Sequence, residues 1–159
     1  MTGSKWLRVA FAVAVVVAVH AFGGSAQAAP IDGQKGIVLA GFTSQQYPAF
    51  FKVSANARTL TASGIALDMT CTSGSQFVLQ DGFARVRISP SGKLHVSVSI
   101  PSTAGSNGDT YSGTDSVTAK LGARHTQLSG TWRLQVNYSF TNGMSDQCDS
   151  GPVRFSATT

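Results

Sequence analysis

Residues able to do acid–base, nucleophilic or metal chemistry are few in this chain of 159 residues, and their spacing is poor for it. Beyond the first thirty residues the histidines are His95 and His125, the cysteines are Cys71 and Cys148, and every acidic residue is an aspartate. A serine hydroxyl is a nucleophile only beside a positioned base, and no Gly-x-Ser-x-Gly turn is present to hold one up. His95 falls on the outward parity of an expected strand, and His125 falls in an expected turn after Arg124. A carboxylate mechanism would have to draw on two of Asp32, Asp68, Asp81, Asp109, Asp115, Asp146 and Asp149. Most of these neighbour Gly, Asn or Ser, where aspartate commonly closes a turn. Asp109 with Asp115, or Asp146 with Asp149, would supply only part of a calcium site, because Ca²⁺ needs about six or more oxygens and the full acidic loop is missing. Cys71 and Cys148 lack the Cys-x-x-Cys spacing of a redox couple and the close Cys/His set of a zinc site. The residues therefore predict a non-enzyme with no metal and no cofactor.

The compartment is read from the other end of the chain. Lys5 and Arg8 precede a nearly unbroken apolar run, Val9 to Phe22, and Gly23-Gly24-Ser25 breaks it before Ala26-Gln27-Ala28. Charge, apolar run and small-x-small site are the three parts of a cleaved secretory signal in order. A membrane anchor needs about 20 apolar residues, and this run is shorter and interrupted by His20. The expected organisation is a signal peptide over 1–28, a flexible N-terminus over 29–35 and one domain over 36–159, secreted and without a membrane span once the signal is removed. In an oxidising compartment the two cysteines most simply form one bridge. Closing so long a loop is worth up to about 4–5 kcal/mol by chain-entropy arguments.

Cleavage removes two of the 12 cations, leaving 10 − 7 = +3 in place of +5. That falls short of the clustered Lys/Arg a phosphate backbone requires, so nucleic acid is not an expected partner. Charged residues make up 12% of the chain and hydrophobic ones 42%, which excludes a disordered polyelectrolyte. The absence of glutamate argues against a helical bundle.

Alternation of period two recurs along the rest, as in Ile65, Leu67, Met69 and Cys71, in Leu94, Val96, Val98 and Ile100, and in Leu128, Gly130, Trp132, Leu134 and Val136. This predicts strands with one buried face. About nine of them, set off by Gly, Ser, Asn and Pro, predict an all-β antiparallel β-sandwich of jelly-roll or immunoglobulin-like type. Pro90-Ser91-Gly92 fits a three-residue hairpin loop, which sets Ser89 opposite Lys93, Ile88 opposite Leu94 and Val86 opposite Val96. A second pairing sets Leu121 against Leu128, Ala119 against Gly130 and Val117 against Trp132. The small pair leaves room for the indole, and the parity of Trp132 makes it a core residue. Polar stretches over 101–113 and 141–151 are expected as loops.

The candidate ligand surface is drawn from Arg85, Arg87, Lys93 and His95 on the outward parity of the hairpin, with Tyr47, Tyr111 and Phe140 at loops or strand ends for stacking. Several segments carry a resemblance: Gly41-Phe42-Thr43-Ser44-Gln45, Phe51-Lys52-Val53-Ser54, Ile65 to Cys71, Leu128-Ser129-Gly130-Thr131-Trp132, and the closing Cys148-Asp149-Ser150-Gly151-Pro152-Val153-Arg154-Phe155-Ser156-Ala157. Over most of residues 36–157 the chain resembles small secreted actinobacterial β-domains of unknown function, with Phe155 where Trp is often found. The resemblance implies a disulfide-linked β-sandwich and carries over no catalytic residues. The expected function is a secreted, non-catalytic binding or cell-envelope domain whose partner is a cell-wall glycan or a surface protein. The alternatives are a small hydrolase using aspartates with a histidine, and a purely structural or inhibitor-like module.

Overall fold

The computed structural model describes residues 36–105 and 107–159. The expected signal peptide and the segment 29–35 lie outside the described residues. Alternating sequence becomes ten strands: β1 (Ile37–Thr43), β2 (Pro48–Val53), β3 (Thr59–Cys71), β4 (Gln76–Asp81), β5 (Val86–Arg87), β6 (Lys93–Ala104), β7 (Thr110–Leu121), β8 (Gln127–Ser139), β9 (Ser145–Asp149) and β10 (Val153–Thr158). Among the described residues there is no helix, and so none long and apolar enough to cross a membrane.

The expected sandwich is not what these strands build. β1, β2, β3, β9, β8 and β10 pair in that order, and β10 pairs back to β1, closing a six-stranded antiparallel barrel. Closure follows from the length of two strands. β8 holds β10 along Gln127–Trp132 and β9 along Gln135–Ser139, while its other edge holds β7. β3 likewise pairs with β2 over Leu60–Ile65 and with β9 at Thr70 and Cys71. Period-two alternation reports which face of a strand is buried, and says nothing about which edges meet; hence the difference. β4 and β5 extend the sheet from β3, and β7 and β6 extend it from β8.

The barrel interior holds Leu39, Phe51, Leu67, Met69, Leu128, Val153 and Phe155, all buried, with the rings of Phe51 and Phe155 stacked 4.7 Å apart. Between the two extensions lie Ile88, Leu94, Val117 and Trp132, the last with no exposed surface. The predicted β7–β8 register is observed residue for residue: Leu121 with Leu128, Ala119 with Gly130, Val117 with Trp132. The hairpin loop is also as expected, Ser89 N–H donating to the Lys93 carbonyl at 2.8 Å. Beyond it the strands part. Val86 pairs with Leu60 of β3 and not with Val96, whose partner is Val117.

Both expected loops are partly strand. β6 runs on to Ala104, with a register shift between Ile100 and Thr103. Pro101 sits there, on an edge strand, where a residue without an N–H is tolerated. The second polar stretch contains β9, which carries Cys148. At the β1–β10 seam the chains approach so closely that a Cβ on Gly41 would collide with the Ser156 carbonyl. Gly41→Ala is expected to lower stability by about 1–3 kcal/mol in urea unfolding, since backbone must shift to admit it. An unchanged midpoint would contradict the seam as described.

Candidate functional site

The seven residues of the expected ligand surface fall in three places. Arg87 on β5 and Lys93 and His95 on β6 are exposed at one end of the barrel, with Arg85 just before them at a φ of 59°. Topology adds cations that their separation in sequence had hidden: Arg58 from the β2–β3 turn, Lys120 directly opposite Lys93, and Arg124 and His125 from the β7–β8 turn. The Arg124-His125 pair beside Gly122 was the visible signal.

Tyr111 and Phe140 lie toward the opposite end. Both rings meet Tyr138, at 6.4 and 6.3 Å, and Phe77 reaches the same ring from β4 at 6.4 Å. Burial, and secondarily Tyr111, pushes the Tyr138 phenol above its ordinary value. Tyr47 stands apart in the β1–β2 turn, its hydroxyl donating to Asp68 at 2.8 Å; that bond raises its pKa.

A constellation that the sequence reading missed lies between the two extensions. Asp81 shares the inward parity of Phe77 and Leu79 on β4, and Asp115 shares that of Val117 and Ala119 on β7. The signal was an acid at an apolar position in each strand. Their carboxyls meet at Trp132, whose single indole N–H lies 2.8 Å from Asp115 Oδ1 and 3.1 Å from Asp81 Oδ2. Phe83 stacks on the indole at 4.9 Å, and the Gly82 N–H donates to the other Asp81 oxygen at 2.7 Å. Desolvation first, then the charge of Asp81 and a hydrogen bond to it, push Asp115 up to about 8. Two carboxyls this close in low dielectric do not both ionise, and the pair holds a proton at neutral pH. Neither histidine takes part: His95 Nδ1 pairs with the Thr118 hydroxyl at 3.0 Å, and His125 is in its turn.

The remaining aspartates are held by local partners. Asp109 accepts from the Thr141 N–H at 2.8 Å, which separates it from Asp115. Asp149 pairs with Arg133 at 2.6 Å, and Asp146 accepts from the Ser73 hydroxyl and from the Thr72 hydroxyl at 2.6 Å; these hydrogen bonds, that of Ser73 first for Asp146, lower both carboxyls. Cys71, Asp146 and Cys148 bring ligand-type atoms within 4.8 Å of one another. The two sulfurs are joined as the Cys71–Cys148 disulfide, across strands β3 and β9, and so offer no thiolate. The bridge indicates an oxidising, extracellular-type environment.

A fourth feature is apolar. On the outward face of β1–β4, Val38, Phe42, Phe50 and Val78 are each at least half exposed. Phe42 and Phe50 flank a shallow depression of about 630 Å³, with Ala40, Gly64 and Ala66 in its lining and Gln80 at its margin. The Phe50 ring lies across Gly64, where a Cβ would displace it by meeting Cε1.

Comparison of the chain with protein-family models, with curated proteins and with solved structures finds no match. The resemblance to actinobacterial β-domains therefore gains no support from them, and of what it implied only the disulfide is observed.

The carboxyl pair makes stability pH-dependent with a definite sign. Folded Asp115 keeps its proton to about pH 8, whereas the ordinary value is 3.8. Through that window the unfolded state binds fewer protons, so stability falls as pH rises, by at most about 1.4 kcal/mol per pH unit. Asp115→Asn retains an acceptor for Trp132 and cannot ionise. Thermal unfolding between pH 4 and 8 is expected to show a flattened profile for the variant, with its Tm at pH 8 equal to or above that of the parent. Parallel profiles would refute the shared proton.

Proposed function

We propose that this protein is an exported, non-catalytic binding domain of the cell envelope, which engages a glycan or a surface protein through the outward face of β1–β4. The observation that carries the reading is the pair Phe42 and Phe50, 64% and 52% exposed on a rigid sheet beside a depression with small residues in its lining. Fully covering a side chain of this size gains about 1.5–3 kcal/mol, so a partner that seats on both rings gains affinity without reshaping the sheet. Flat apolar faces with a polar amide, Gln80, at the margin suit the apolar face of a sugar ring or an aliphatic protein patch.

The test is retention of the protein by envelope polysaccharides and by envelope protein fractions, with Phe42→Ala and Phe50→Ala alongside. Both rings are at least half exposed and lie outside the core, so the variants are expected to unfold close to the parent and to bind about tenfold or more weakly, the equivalent of roughly 1.4 kcal/mol. Equal retention of parent and variants, or none of either, would count against this face.

A second reading, a small hydrolase, draws on the meeting of Asp81 and Asp115, one of them holding a proton as a general acid must. Against it stands the burial of Asp115, 6% exposed behind Trp132 and Phe83. Polysaccharide turnover abolished by Asp81→Asn would favour this reading over the first.

A further inference from the structure

We infer that the basic end of the barrel is a second, separate binding surface, built for a linear anionic polysaccharide. Its first support is the segregation of charge. Arg58, Arg87, Lys93, Lys120, Arg124 and His125 are brought to one end by the β2–β3, β5–β6 and β7–β8 turns. The described aspartates are engaged elsewhere: Asp68 with Tyr47, Asp81 and Asp115 with Trp132, Asp109 with Thr141, Asp146 with Thr72, and Asp149 with Arg133. Among the described residues Arg133 is the ion-paired cation, and it lies outside this end.

The second support is a local conflict. Lys93 and Lys120 are direct cross-strand partners on the outward face. Like charges in that relation oppose folding, and among the described residues no carboxylate is ion-paired with either lysine. An anion bridging the two ammonium groups would turn the repulsion into a binding contribution.

The third is shape. The turns enclose a depression of about 610 Å³ lined by Arg58, Lys120 and His125 together with the polar side chains of Asn56, Ser89 and Ser91. Lys93 and Lys120 stand on β6 and β7, paired strands about 4.8 Å apart, and Arg87 stands on a third strand, β5, which pairs with β3. Charges spread over that width are met together by a chain with repeating anionic groups, and only singly by a lone ion. A membrane surface fits less well. The large exposed apolar side chains, Val38, Phe42, Phe50, Val78, Val98, Phe140 and Met144, lie outside these turns, whereas stable membrane attachment by a basic patch needs a second, apolar signal.

The experiment uses the exported chain and two probes: a size-defined sulfated uronate oligosaccharide, and vesicles containing anionic lipid. The oligosaccharide is expected to bind with an affinity that falls as salt is raised, because screening acts on exposed charges. Lys93→Gln with Lys120→Gln removes the like-charge pair, so the double variant is expected to melt at or above the parent temperature while binding the oligosaccharide about tenfold or more weakly, the loss of charge-assisted contacts. Phe42→Ala is expected to leave this binding unchanged, which separates it from the other face. Binding to vesicles but not to the oligosaccharide would overturn the inference, as would no binding at low salt. A double variant that binds as tightly as the parent, or a loss matched by Arg154→Gln on β10, would do the same.

Discussion

The weakest seam of the barrel is where β9 meets β3, and a covalent bond crosses it. Elsewhere the ring is closed by runs of paired residues, six between β1 and β2 and six between β8 and β10. The β3–β9 contact has two, Thr70 with Asp149 and Cys71 with Cys148. The second of these is the disulfide, so the shortest ladder coincides with the one bond that thermal fluctuation does not open. Flanking it, Thr72 and Ser73 hydrogen-bond to Asp146, and Arg133 and Gln135 of β8 grip Asp149. The cysteines are 77 positions apart in sequence and the loop they close contains β4 to β8, so the bond ties β3 to a strand much later in the chain. An environment that lets the sulfurs oxidise is thereby linked to the fold itself.

That closure positions each of the surfaces. A continuous barrel fixes β1 and β2 against β3, which keeps Phe42 and Phe50 on an outward face where they cannot turn into the core. The same wall sets β3 against β5 and β8 against β7, and so gathers the basic turns at one end. The carboxyl pair sits where the β4 and β7 extensions come together over Trp132. An inward acid on each side, joined through one proton and one indole N–H, holds the extensions together in place of further apolar packing. This arrangement weakens as the proton is lost with rising pH, whereas the seam contacts of Asp146 and Asp149, whose carboxyls are held below the ordinary value, weaken as pH falls through theirs.

Much of the local structure was legible in the sequence, for reasons that can be named. The β7–β8 register could be read because Gly130 and Ala119 are small where the indole needs space, and one slip would have reversed every face. The loop at 90–92 was legible because Pro and Gly each serve one position of a known turn. What followed the loop was not, since Val86 is apolar and alternating whether it pairs with Val96 or with Leu60. Barrel closure was hidden for the same reason: parity names faces, and edge choice depends on strand lengths and on which partners share an edge. Asp81 and Asp115 were hidden among seven aspartates that mostly neighbour Gly, Asn or Ser, as turn residues do, although each keeps the parity of an apolar row. Of the expected ligand residues, Arg85, Arg87, Lys93 and His95 come to the same end of the barrel on either side of one loop; Tyr111 and Phe140 each meet the Tyr138 ring toward the other end, and Tyr47 stands apart in the β1–β2 turn.

Residue-level amide hydrogen exchange on the oxidised and reduced protein tests the seam most directly. If the Cys71–Cys148 bond closes the ring, reduction removes protection first from β9, from Val136–Ser139 of β8 and from the end of β3, while β6, β7 and the β8–β10 ladder stay protected. Protection lost evenly across all strands, or unchanged at β9 after reduction, would contradict it.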